Sequence, residues 1–119
     1  MAFTYDIELF HPTALPGAGA QTESLGSCKI ITRNVFVTVT EHNGDAHLVL
    51  LDELTELDRT QPRYVTIVGK TFYPRRVDLP SKIFVETASG NARAVNGDQI
   101  ARIHRHGGDA QGSGRLSRP

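Results

Sequence analysis

Five histidines are the first residues to test for chemistry. His42 and His47 flank an Asn43-Gly44 pair, and if the chain doubles back there they face one another across a hairpin, a geometry able to hold a metal. A metal site needs further ligands, and the nearest, Glu41 and Asp45, read as solvated turn residues. His104 and His106 stand beside Arg102 and Arg105, whose charge opposes a cation, so a basic patch is the expectation there. No metal site is expected. Nucleophilic catalysis needs a Ser or Cys brought to a His and an acid, and none of the histidines lies in a recognisable local motif. Asp52 and Glu53 are adjacent carboxylates, but neighbours on a helical turn point about 100° apart, and Asp52 reads better as a helix cap. Val68-Gly69-Lys70-Thr71 resembles the end of a phosphate loop whose leading glycine is replaced by Tyr64. "GAGA" at 17–20 lacks the third glycine of a dinucleotide fingerprint. No cofactor is expected, and the chain reads as a non-enzymatic module, with a small enzyme of unknown reaction as the third alternative.

The constellation with more promise is cationic and aromatic: Arg59, Arg63, Tyr64, Lys70, Phe72, Tyr73, Arg75, Arg76 and Lys82. Small β domains bind nucleic acid by setting Lys and Arg against phosphates while exposed rings stack on bases. Arg63, Lys70, Tyr73, Arg75, Arg76 and Lys82 are therefore the candidate nucleic-acid-binding residues. The competing reading turns Phe72 inward and leaves the arginines as protection for an edge strand. Arg102, Arg105, Arg115 and Arg118 would add a basic extension of salt-dependent affinity. A second hypothesis uses the acidic stretch "DELTELD", with Asp52, Glu53 and Glu56 as partner-binding residues facing another protein or the basic hairpin of a second copy, as in a homodimer.

The charge distribution leaves both options open. Residues 1–58 hold two cations against nine acids, a balance of −7, and residues 59–119 hold eleven against four, a balance of +7. Such asymmetry builds a basic face, or patches that pair between subunits, or simply intermixes as strands pair. One cysteine, Cys28, excludes an internal disulfide, so a reducing, cytoplasmic setting and a buried structural thiol are expected. "MAFTYDIELFHPTALPGAGA" has no basic n-region, and the longest aliphatic run, "LVLL", is too short to span a bilayer, so no membrane partner is expected.

The elements that must position these residues read mainly as strands. "FTYDIELF" alternates apolar and polar residues. Residues 11–27, with their prolines and glycines, predict a long loop. "CKIITRNVFVTVTEH", dense in β-branched residues, and "AHLVLL" predict a hairpin turning at Asn43-Gly44 in a type I′ turn. "RYVTIVGKTFYPRRVDL" predicts a second, out over 64–68 and back over 70–77, with Pro74 at an edge or bulge, and "KIFVETASGNARAV" a third. "GDAHLVLLDELTEL" recurs 46 residues later as "GNARAVNGDQIARI", and "VFV" answers "IFV" upstream with a two-residue difference at the turn. Each unit is strand, glycine turn, strand, then Asp-x-Φ-x-x-Φ (Φ aliphatic), read as a helical turn capped by Asp52 or Asp98. The expected fold is mainly β: a small twisted barrel or compact sandwich of six or seven strands, built from two related hairpin and helical-turn units. Residues 1–106 are expected to form one domain and 107–119 a disordered, Gly- and Ser-rich tail. Short stretches ending in "LDELTEL" and "NGDQIARI" resemble the strand-and-turn units of LytTR-class DNA-binding domains. "ETASGNAR" stands where that class carries an arginine-bearing segment, so the chain is not assigned to it.

Overall fold

The computed structural model describes residues 3–10 and 22–106. They form eleven strands and two single 3-10 turns: β1 (Thr4–Phe10), β2 (Thr22–Ile30), β3 (Phe36–Thr40), β4 (Ala46–Leu50), the turn Leu51–Glu53, β5 (Leu54–Asp58), β6 (Tyr64–Ile67), β7 (Lys70–Phe72), β8 (Arg76–Asp78), β9 (Ile83–Thr87), β10 (Ala92–Val95), the turn Gly97–Gln99 and β11 (Ile100–His106). The protein is mainly β, as its pattern predicts, with nearly twice the expected number of strands. Two antiparallel sheets hold them, ordered β10-β9-β2-β1-β11-β5-β6-β7 and β4-β3-β8. Among the described residues no strand pair closes either sheet into a barrel.

The pairing exposes an approximate twofold relation. β5 meets β11 with Leu57 opposite Ile103, and these residues occupy the same place in the two sequence units. β5 also pairs β6 while β11 pairs β1, and β3 pairs β8 while β9 pairs β2. So β1 corresponds to β6, β3 to β9, β4 to β10 and β5 to β11, while the single long strand β2 corresponds to β7 and β8 together. Each half completes its sheet with strands from the other. The core is accordingly one cluster, with Ile7, Val37 and Leu57 packed with Val65, Ile83, Val85 and Ile103.

Several sequence expectations change. The 46-residue offset runs through the hairpins without a gap: Val37 pairs Val49 as Ile83 pairs Val95, and Val39 pairs His47 as Val85 pairs Arg93. The "VFV"/"IFV" alignment with its two-residue difference was therefore out of register. Both hairpins turn through three residues, with Gly44 and Gly90 at positive φ and the amides of Glu41 and Thr87 donating to Asp45 and Asn91. Asn43 is not at positive φ, so the expected type I′ turn is absent there, and it is Val68-Gly69 that adopts positive φ at both central positions.

The helical turns are also corrected. Each is a single 3-10 turn of three residues running straight into a strand. Leu54 and Leu57 are both buried although three apart, because Thr55 is skipped in the pairing with β6. Ala101 is skipped likewise in the pairing with β1, which turns Ile100 and Ile103 inward together. A bulge adds one residue to a period of two and so imitates helical spacing. Neither Asp52 nor Asp98 caps its turn: the Glu53 carboxylate accepts from the Leu50 amide, and Asn96 accepts from the Asp98 amide. The predicted loop at 11–27 is partly wrong, since Thr22–Ile30 is strand β2; residues 11–21 and the tail lie outside the described residues. The predicted strand over 70–77 is split, Pro74 marking the step from β7 in one sheet to β8 in the other.

Candidate binding cleft

Beside that split lies a mainly apolar cleft. The β3–β4 hairpin supplies Val39, His47 and Val49, β6 supplies Val65 and Ile67, and Phe72, Tyr73 and Pro74 form the opposing wall. Glu41, His42 and Asn43 of the hairpin turn complete the rim of a cleft of about 640 Å³. Phe72 stands opposite Val65 and Lys70 opposite Ile67 across β6–β7. Alternation therefore puts the Lys70 position on the cleft face of the sheet. Phe72 remains 49% and Tyr73 60% exposed, and Val68 at the hairpin tip is 86% exposed. Val68 has φ 49°, a left-handed conformation that a β-branched side chain adopts at a cost in strain.

The six cationic and aromatic candidates divide by their surroundings. The Tyr73 ring rests on Tyr64 with centroids 6.1 Å apart, which fixes it without burying it. The Arg63 guanidinium donates to the Arg75 carbonyl across the gap between β7 and β8. Arg76 pairs with Asp78 at 2.9 Å. Lys70, Arg75 and Lys82 are exposed and have no ion-pair partner among the described residues. Arg59, grouped with them by sequence, is structural: it donates to the carbonyls of Ile100, Val77, Gly97 and Asp98 at 3.0–3.1 Å. Burial lowers its pKa below the ordinary arginine value. Its counterpart Arg105 donates to the Asp52 carbonyl and covers the Phe3 ring at 4.3 Å.

The acidic candidates are engaged within the chain. Asp52 accepts from the Tyr5 hydroxyl at 2.7 Å. Burial, with that bond to Asp52, pushes the Tyr5 phenol well above its usual pKa. Glu53 is held by the Leu50 amide, and Glu56 accepts from the Tyr64 hydroxyl at 2.9 Å and from Arg102 at 3.4 Å. Arg102 also reaches Glu8 and Asp58; burial opposes its charge, but these carboxylates hold its pKa above the usual value. The acidic first half and basic second half thus interlock along β1, β11, β5 and β6.

His47 pairs with Glu41 on the cleft rim, and His42 lines the cleft without completing a ligand set. Among the described residues no three His, Cys, Asp or Glu side chains group as metal ligands. Cys28 is 1% exposed, and burial raises its thiol pKa. No helix among the described residues is long and apolar enough to cross a membrane. Sequence reading missed the cleft because its floor residues, Val39, Val49, Val65 and Ile67, alternate like any core face. The available signal was Pro74 beside Phe72 and Tyr73, three ring residues at a strand break. No family model, curated protein or solved structure matches the chain.

Proposed function

We propose that the protein is a small β binding module that takes single-stranded nucleic acid at the β6–β7 hairpin and the cleft beside it. The observation that carries this reading is a pair of exposed rings, Phe72 and Tyr73, on the wall of an apolar cleft, flanked along the chain by Lys70 and Arg75, exposed cations without an ion-pair partner among the described residues. Rings of this kind stack on bases without sequence preference while flanking cations follow the phosphates. In this reading Arg76, which pairs with Asp78, and Lys82 are further candidate phosphate contacts, and Arg63 holds the Arg75 carbonyl. A reducing cytoplasm suits the single buried thiol.

The test is fluorescence anisotropy with labelled single-stranded and duplex DNA and RNA at low and moderate salt. Binding of single strands is expected to weaken steeply as salt rises, as counterion release requires. Tyr73→Ala and Phe72→Ala should each cost about tenfold or more, from the worth of a base stacked on a ring. Lys70→Glu with Arg75→Glu should weaken binding and flatten its salt dependence. Absence of binding even at low salt would end this proposal.

A further inference from the structure

Of the four edge strands among the described residues, β4, β7, β8 and β10, two occupy corresponding places, β4 and β10, but present different edges. Residues 47 and 49 of β4 exchange backbone bonds with β3, following the pattern set by the Glu41–Asp45 bond, so the N–H and C=O groups of Ala46 and Leu48 point away from the sheet. At the far end the Leu50 amide is already taken by Glu53. Leu48 is 64% exposed, and its diagonal neighbour on β3, Phe36, is 46% exposed on the same face. The strand "AHLVL" carries no Lys, Pro or acid to discourage pairing. On β10 the corresponding residues are Ala94 for Leu48 and Arg93 for His47, a small residue and a charge.

We propose that the β4 edge is a homodimer interface, two copies pairing β4 antiparallel about a twofold axis at Leu48. A second copy is the occupant that this edge fits. With Leu48 opposite Leu48 of the other copy, both outward N–H and C=O groups of that residue are satisfied reciprocally, as an isologous contact requires. Ala46 then faces Leu50 and His47 faces Val49, so every opposed pair within the strand is free of like charge. Asp45 falls opposite Leu51, and Glu53 opposite Asn43, so the acids flanking the strand do not meet. Leu48 and Phe36 of both copies become one apolar cluster on the outer face, and the cleft-side residues His47 and Val49 of the two copies lie side by side.

Sedimentation equilibrium of the full chain over a wide concentration range tests this independently of what fills the cleft. A reversible monomer–dimer equilibrium is expected. Leu48→Lys, an exposed change that spares the core, should raise the dimer dissociation constant about tenfold or more, equivalent to 1.4 kcal/mol. Ala94→Lys, at the matching position on β10, should leave it unchanged. In hydrogen exchange, the Leu48 amide should gain protection as concentration rises while the Ala94 amide does not. A monomer at every concentration, a dimer indifferent to Leu48→Lys, or a dimer lost in Ala94→Lys would each overturn the proposal.

Discussion

The β9–β10 hairpin and the β3–β4 hairpin share turn, register and 3-10 exit, yet one covers a filled interior and the other borders an open cleft. Val85, Val95, Ile7 and Leu9 are 0%, 2%, 1% and 4% exposed. In the other half Val39 and Val65 are buried, but Val49 and Ile67 are only half-buried and line the cleft. The difference traces to the segment that crosses from the inner strands β1 and β6 to the outer hairpins, β2 in one half and β7–β8 in the other. β2 makes the crossing unbroken, with an extra residue between the partners of Ile7 and Glu8: Gly26 pairs Ile7, Ser24 pairs Glu8, and Leu25 between them packs against the core. β7–β8 has no such residue, and Pro74 breaks it instead. Two nearly equal units thus provide a scaffold, and a concave surface arises where one of them lacks the bulge that fills the other.

The shared axis should dominate stability. Leu57→Ala and Ile103→Ala remove buried side chains that face each other across β5 and β11, and each should cost about 2–5 kcal/mol in urea unfolding. Because both open the same space, the double variant should cost less than the two single losses added together. Strictly additive losses would show that the two residues do not share one packing site, and the symmetry argument would fail at its centre.

The hairpins should then separate the halves. Val95→Ala empties a filled site and should cost about 1.5–3 kcal/mol, close to the full worth of a buried valine. Val49→Ala, at the matching position on the cleft wall, should cost clearly less in unfolding while weakening nucleic-acid binding. Equal losses from the two would mean that the open and filled halves are energetically alike.

Much of this organisation is legible in the residues, and the failures have physical causes. Alternating Val35, Val37 and Val39 against Phe36 and Thr38 identifies β3, because a half-buried strand must alternate. Gly44 and Gly90 identify the hairpin turns, though not the turn type, which depends on whether Asn43 also takes positive φ. Leu54 with Leu57 and Ile100 with Ile103 read as helix because a bulged strand places apolar residues at the same interval. The strand Thr22–Ile30 is hidden because its polar, Gly-containing sequence is held by β1 and β9 on either side, a tertiary effect that overrides local preference. Of the candidate site, Tyr73 and Lys70 are visible by residue type. The partners of Arg76 and Glu53 are sequence neighbours, Asp78 and Leu50, whereas those of Arg63 and Glu56 lie on other strands and depend on a strand order that hairpin patterns alone leave open.

The smallest expected difference concerns two tyrosines. Burial raises the pKa of both Tyr5 and Tyr64, assisted by hydrogen bonds to Asp52 and Glu56, with the larger shift at Tyr5. In the unfolded chain both ionise near pH 10. The native state therefore binds their protons more tightly, so the stability they contribute is complete below about pH 10 and falls as pH rises beyond it. Thermal midpoints followed by far-ultraviolet circular dichroism between about pH 8 and 11 should decline at the alkaline end. Tyr5→Phe should flatten that decline more than Tyr64→Phe, while lowering stability at pH 8 by about 0.5–1.5 kcal/mol for the lost hydrogen bond. Tyr5 ties β1 to the first 3-10 turn from beneath the sheet, whereas Tyr64 works at its partly exposed face. An alkaline slope unchanged in Tyr5→Phe would mean that the turn is held by Arg105 and backbone bonds alone.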